Sequence, residues 1–338
     1  MASEKLIEFD PDQHLCFQKP DVVYTWADLG FHKDEGVSSF CAAEPFPLFS
    51  PTAISEMRKE VLQPQVLNNY SYSDNNTAMS VRGYAAAHAP FTSAAWKHPR
   101  TLEALSDIAG VDLVVKIELE LGHVNFGVRS SQKRTAVQAP DESESRNSDD
   151  TGGIIGWHKD SYPFSCTLML SDSKDMKGGE IVVERADGRL HKIRQCQTGS
   201  VVFLQGRHLV HTGLKVDGPN VRMTMVCPLW PASPFLPDDT FLTYTRAISD
   251  TSELYGQYAD YRFGMLIDRL LSRRQQDLER RRSGAKLDTT GLKRFIQEQS
   301  EFLVQMQKEI LEEEKTDTWG YKRGNELPQL APEDLIES

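Results

Sequence analysis

The sequence predicts a mainly β core, a barrel or sandwich, with helices flanking it on both sides. Three observations carry this: alternating β-branched residues from Asp112 onward, glycine and Asp-Gly turn signals at short intervals through residues 179–218, and helical periodicity before and after that stretch. The chain has 338 residues, enough for one large domain with additions. Its 39% hydrophobic and 26% charged residues exclude a fibrous or wholly disordered chain and allow a substantial core.

Ser50-Pro51 opens the first clear helix, with serine as N-cap, proline at the first helical position and Ile54, Met57, Val61 and Leu62 at helical spacing. A second helix is predicted from Pro99 to Ala109, with Leu102, Leu105 and Ile108 inward and Gly110 as its stop. "VDLVVKIELELGHVNFGV" from residue 111 then reads as one or two strands. Residues 129–153 are rich in serine and charge and nearly free of large apolar groups, which predicts a mobile loop, either a tolerated insertion or a lid. Beyond it, Asp187-Gly188 between two alternating runs signals a hairpin, and Gly199, Gly206 and Asp217-Gly218 punctuate further short strands. After Pro237 the texture becomes helical again, over Leu254 to Leu278 and from Leu292 to Ile310. The expected organisation is therefore a helical and irregular support region (1–111), a β core (112–237) and a helical extension (238–338), all in one structural domain, with no internal repeat.

The net charge of −11 argues against broad attraction to nucleic acid or anionic membranes. "RRQQDLERRR" alternates bases with acids and reads as a solvated helix. No apolar stretch approaches the roughly 18 residues of a membrane span, and "MASEKLIEFDPDQH" has no secretory pattern, so a cytoplasmic protein is expected. Cys16, Cys41, Cys166, Cys196 and Cys227 are odd in number and lack CxxC spacing, which predicts buried or inert thiols.

The chemistry gathers around "GWHKDSYPF". In an extended segment His158 and Asp160 project from the same face, so both could reach one ion while Lys159 points away. His208 and His211 are the candidates for a third ligand, and strand alternation favours His211. Two histidines and a carboxylate leave open positions, as on a non-haem iron, whereas structural zinc closes its tetrahedron. Arg222, on the next strand, is costly in a β core unless paired. A guanidinium binding a carboxylate through two hydrogen bonds would suit a dicarboxylate cosubstrate, and Thr224 shares that face. His123 and Asn125 also share one strand face, either lining the cavity or forming a satisfied polar pair. Arg82 and Arg129 could bind a carboxylated substrate or be exposed structural charges, and Tyr162 continues the inward parity of Asp160. Trp157 is expected outside the pocket. Cys166, Leu168 and Leu170 alternate with Ser165, Thr167 and Met169, and the sequence does not say which set faces the cavity.

His158-x-Asp160, His211 in "HTG" and Arg222-x-Thr224 together resemble the iron(II)/2-oxoglutarate-dependent dioxygenases, mainly over residues 112–230. "LGHVNFG" resembles a segment of certain fungal secondary-metabolite and amino-acid oxygenases. The resemblance implies a double-stranded β-helix, the jelly roll or cupin-like fold, with flanking N- and C-terminal helices. It implies Fe(II) held by His158, Asp160 and His211, with 2-oxoglutarate and O2 as cosubstrates. Arg222 and Thr224, with Asn125, would hold the 2-oxoglutarate. Tyr162, His123, Arg82 and Arg129 would face a small-molecule substrate, amino-acid-derived or a secondary metabolite. The implied reaction is hydroxylation of an unactivated C–H bond, coupled to decarboxylation to succinate and CO2. Desaturation or oxidative cyclisation, a peptide-modifying oxygenase and a non-catalytic cupin-like binder are the alternatives. The carboxylate at Asp160 speaks against the halogenase branch. The C-terminal helices are expected to cover the barrel, to form a homodimer contact, or both.

Overall fold

The computed structural model describes residues 7–73, 79–127, 153–172, 176–194, 197–214, 216–217, 221–312 and 322–323. Residues 129–152 of the predicted loop, Arg129 among them, lie outside these, as do Cys196 and Gly218. The helices preceding the core are α1 (Pro11–His14), α2 (Pro51–Val61), α3 (Pro64–Tyr70), α4 (Ala85–His88), α5 (Pro90–Lys97) and α6 (Pro99–Ala109). As the sequence predicts, the Ser50 side chain caps α2 by accepting from the Ala53 amide, and Gly110 ends α6 in the left-handed region at φ 70°.

The strands are β1 (Val23–Thr25), β2 (Phe40–Pro47), β3 (Ser71–Ser73), β4 (Met79–Val81), β5 (Leu113–Val114), β6 (His123–Gly127), β7 (Gly153–His158) and β8 (Phe164–Met169). They continue with β9 (Lys177–Gly178), β10 (Ile181–Glu184), β11 (Leu190–Ile193), β12 (Ser200–Leu204), β13 (His211–Leu214), β14 (Val216–Asp217), β15 (Arg222–Pro231) and β16 (Lys322–Arg323). A ten-stranded sheet runs β1-β2-β12-β8-β15-β6-β4-β3-β16, with β5 beside β15, and a four-stranded sheet runs β11-β10-β13-β7. Pairing is antiparallel throughout both sheets.

The outer face of the large sheet buries Cys166, Leu168, Val201, Phe203, Met223 and Met225 against α2, α5 and α6. Its inner face meets the small sheet: Cys41, Ala42, Val202 and Leu204 pack with Ile181, Val183 and Ile193. This settles the β8 parity. Cys166 and Leu168 face the helices, and Ser165, Thr167 and Met169 face inward across from Val202 and Thr224. Trp157 packs with Val182, Leu190 and Leu214 on the small sheet's outer side, away from the interior.

Two details differ from the sequence reading. The run after Asp112 is broken by a 3-10 turn at Glu118–Glu120, because Glu120 is drawn inward to pair with Arg82. The segment before residue 112 is also more than helices and irregular chain, since β1–β4 extend the large sheet. Three of those strands have only three residues, too short for an alternation to register, and β2 carries two prolines and two alanines. Gly188 turns the β10–β11 hairpin at φ 79°, as expected of Asp187-Gly188. After the core come α7 (Thr243–Arg246), α8 (Thr251–Arg282) and α9 (Thr289–Glu309). α8 packs its inner side through Leu254 and Tyr258 against Trp230 and Tyr162. No helix among the described residues is long and apolar enough to cross a membrane.

Candidate metal centre

β7 and β13 are neighbours, and their register sets His158 directly opposite His211. Asp160 follows β7 in a turn whose backbone is held by its own amide donating to the Gly206 carbonyl at 2.8 Å. The three side chains converge, with one possible ligand atom from each lying within 4.8 Å of the others. Asp160 Oδ1 is 3.4 Å from His158 Nε2 and 3.5 Å from His211 Nε2. Metal–ligand bonds of roughly 2.1 Å place adjacent octahedral ligands about 3 Å apart, so this spacing needs little adjustment around one ion.

The tautomers are set from behind. His158 Nδ1 donates to the Gly156 carbonyl at 2.7 Å, and His211 Nδ1 donates to the Leu209 carbonyl at 2.9 Å. In its neutral form each ring would therefore present its Nε2 lone pair to the shared point, the arrangement in which histidine ligates. Ser165 Oγ donates to Asp160 Oδ2 at 2.6 Å, which leaves Oδ1 turned towards the histidines. Burial opposes the charge on Asp160, yet the His211 and His158 rings beside it hold its carboxyl well below the usual range. Burial likewise opposes the His211 imidazolium, and the Asp160 carboxylate outweighs it and raises that pKa. His208 stays outside the group, its Nε2 3.7 Å from Asp239 Oδ1.

Arg222 begins β15 on the inner face, level with Gly127, and Thr224 is level with Asn125. Arg222 is only 7% exposed, and burial lowers its pKa to about 10 against the opposing pull of Glu180. Its Nη1 donates to Thr224 Oγ1 at 3.3 Å, while Nε finds no hydrogen-bond partner. Among the described residues it forms no ion pair: Glu180 gives one oxygen to Arg194, and the other has no hydrogen-bond partner. A buried guanidinium without a carboxylate is expensive, and this one lies on the inner face of the large sheet, the face that meets the small sheet carrying His158 and His211.

The remaining sequence candidates divide. Asn125 accepts from Ser80 Oγ at 2.7 Å on the inner face. His123 shares a 2.8 Å hydrogen bond with the Tyr72 hydroxyl, and burial, together with the nearby Arg82 charge, lowers its pKa to about 3. Arg82 is not an exposed charge. Its Nε donates to Glu120 at 3.0 Å, Nη2 pairs with the other Glu120 oxygen, and Nη1 donates to the Thr245 carbonyl and to Ser249 Oγ. Tyr162 donates its hydroxyl to the same Glu120 carboxylate and sets its ring 4.8 Å from that of Trp230, tilted by 53°. The structure thus commits Arg82 and Tyr162 to one buried network that anchors α7 to the β core. Beside it opens a cleft of ≈ 430 Å³ lined in part by Tyr72, Arg82, Leu119, Ser249 and Asp250.

Ser165, Gly206, Tyr72 and Glu120 are site or near-site residues that sequence reasoning missed. Ser165 alone carried a signal, since it shares the parity of Thr167 and Met169, whereas the other three depend on contacts between distant segments.

No protein-family model matches the chain, and no curated protein matches it in sequence. Solved structures do align with it. An oxidoreductase of the 2OG-Fe(II) oxygenase family from Burkholderia pseudomallei is 14% identical, with 49% of this chain and 75% of that one covered and a TM-score of 0.34. The non-haem alpha-ketoglutarate-dependent epimerase SnoN from nogalamycin biosynthesis is 13% identical over 54% of this chain and 74% of its own, with a TM-score of 0.38. A Pseudomonas putida prolyl-4-hydroxylase is 14% identical over 54% of this chain and 86% of its own, with a TM-score of 0.28.

Proposed function

We propose that this protein is an iron(II)/2-oxoglutarate-dependent oxygenase built on a double-stranded β-helix, and that it hydroxylates an unactivated C–H bond of a small molecule. The observation that carries the reading is the convergence of His158 Nε2, His211 Nε2 and Asp160 Oδ1, with both histidine Nδ1 atoms already donating to backbone carbonyls. A two-histidine, one-carboxylate set suits non-haem iron that keeps open positions. When bound, the iron and 2-oxoglutarate supply an oxidant from O2, with succinate and CO2 as the other products.

The chain's own residues do the rest. His158, Asp160 and His211 hold the metal, and Ser165 keeps Asp160 to one ligating oxygen. Arg222, with Thr224 beside it, receives the distal carboxylate of 2-oxoglutarate through two parallel hydrogen bonds, which supplies the partner that the buried guanidinium lacks. Asn125 and His123 line the inner face next to this path, and Tyr72 joins His123 to the cleft. The inward-facing Ser165 and Thr167 give β8 a partly polar inner wall beside Met169, and Phe164, Cys166 and Leu168 are spent on the outer core.

The test is anaerobic reconstitution of the full chain with Fe(II) and 2-oxoglutarate, followed by O2, with bound metal, succinate and product mass read together. One iron per chain and substrate-dependent succinate are expected, with a product heavier by one oxygen. A product lighter by two hydrogens would establish desaturation or cyclisation instead. Loss of iron in Asp160→Ala, with iron retained in Arg222→Ala but 2-oxoglutarate lost, separates the two sets of ligands. A protein that binds neither iron nor 2-oxoglutarate overturns the reading.

A further inference from the structure

α8 presents a face that nothing among the described residues covers. Its inner side buries Leu254, Tyr258, Arg262 and Met265. On the opposite side, Phe263, Ile267, Leu270 and Leu271 are 48–55% exposed in one stripe at three- and four-residue spacing. Single exposed apolar side chains need no explanation, but four along one helix stripe do. The charges along the same stripe supply one. At seven-residue intervals the helix carries Glu253, Asp260, Ile267, Arg274 and Arg281, all exposed, so two acids, an apolar centre and two bases follow one another.

That order is self-complementary only when reversed. If two copies of α8 lie antiparallel about a two-fold axis at Ile267, Asp260 of one meets Arg274 of the other, and Glu253 meets Arg281. The same register sets Phe263 against Leu271 and Gly256 against Leu278. Gly256 has open space within 4 Å of where a Cβ would stand, so it leaves room for an incoming leucine. Glycine weakens a helix interior, and its place on the exposed stripe is accounted for by that approach. Neither Asp260 nor Arg274 forms an ion pair among the described residues, so both are free to make one across the axis. A parallel pair would instead set acids against acids and bases against bases.

We propose that a second copy of this chain occupies the face, through an antiparallel α8–α8 contact in the register just given. The two-fold contact uses the same patch twice, as an isologous interface requires. The proposal is independent of the chemistry at His158, Asp160 and His211.

The experiment is sedimentation velocity of the full chain across the micromolar range, for wild type and four variants. Wild type is expected at twice 38.2 kDa. Ile267→Asp is expected to be monomeric. Asp260→Arg and Arg274→Asp should each weaken association by about tenfold or more, because each reverses a contact that occurs twice. The double variant Asp260→Arg/Arg274→Asp should recover association, which neither a general loss of folding nor a parallel arrangement allows. Far-UV circular dichroism and melting temperature, unchanged across the set, exclude unfolding as the cause. A monomeric wild type overturns the proposal and leaves the face to another occupant, such as the chain's own residues 313–338. A dimer indifferent to Ile267→Asp and to both charge reversals also overturns it.

Discussion

Ser165 Oγ donates a 2.6 Å hydrogen bond to Asp160 Oδ2, the carboxylate oxygen that does not face the two histidines. The bond gives the two oxygens different work: Oδ2 is tied to the protein, and Oδ1 stands 3.4 Å and 3.5 Å from the histidine Nε2 atoms. Ser165→Ala removes the tether without removing a ligand. Iron(II) affinity should fall roughly 10- to 100-fold, the usual effect of losing a partner behind a metal ligand. Anaerobic metal titration measures it, and an unchanged affinity would show that the carboxylate is oriented by its backbone alone.

Gly206 lies against the same carboxylate. A Cβ at this position would stand 1.8 Å from Asp160 Oδ2 and 2.7 Å from Ser165 Oγ, closer than any side chain can tolerate. Gly206→Ala should therefore displace Asp160 and abolish stoichiometric iron binding. Gly156→Ala is the control. It has open space within 4 Å and retains the carbonyl that orients His158, so its iron binding should match wild type.

His123 makes the stability of the metal-free protein depend on pH. Its pKa in the folded chain is about 3, against an ordinary 6.5, with burial the main cause and Arg82 the next. Between those values the unfolded chain takes up a proton that the folded chain refuses, so stability falls as pH drops through 6.5 towards 3. The contribution is on the order of a few kcal/mol over the whole window. Urea unfolding at pH 7, 6 and 5 should give a shallower acid-side loss in His123→Gln than in wild type, and parallel slopes would refute the assignment.

What could be read from the sequence follows from how local each feature is. His158 and Asp160 sit two residues apart, and His211 and Arg222 each begin a strand, so the candidates show in short windows, whereas their convergence rests on the pairing of β7 with β13 and on the turn that holds Asp160 against Gly206. The helices were legible because their signals are contained in short windows, caps for α2 and α6 and apolar periodicity for α8 and α9. Glu120 was not legible: in sequence it belongs to an alternating run, and only its pairing with Arg82, 38 residues earlier, breaks that run into a 3-10 turn. Arg82 was misread in turn, because an arginine's default is the surface unless a buried carboxylate is known to be waiting. The Tyr72–His123 bond joins strands 51 residues apart and leaves no local trace.

Arg82 and Glu120 test whether that network is structural. Both are buried, and Glu120 also accepts from Tyr162. Removing one partner leaves the other as an uncompensated charge, so Arg82→Ala should cost about 3–5 kcal/mol of unfolding free energy. The double variant Arg82→Met/Glu120→Gln should cost less than the single one. If Arg82→Ala instead left stability intact and raised only the KM for substrate, the guanidinium would be a substrate ligand.

Arg222→Lys tests the cosubstrate site proposed above without touching the residues proposed to hold the metal. A lysine would keep the positive charge but lose the planar pair of donors that matches a carboxylate. Arg222→Lys should thus retain iron binding and lose roughly 10- to 100-fold in 2-oxoglutarate affinity, the equivalent of about 1.5–3 kcal/mol for one charge-assisted hydrogen bond. Titration calorimetry of the iron-loaded protein separates the two effects. Succinate, which has no keto group with which to chelate the metal, should lose a similar factor between wild type and Arg222→Lys, because it shares the carboxylate that the arginine grips. Equal 2-oxoglutarate affinities in wild type and Arg222→Lys would mean that this buried guanidinium, with its unpartnered Nε, serves some other anion.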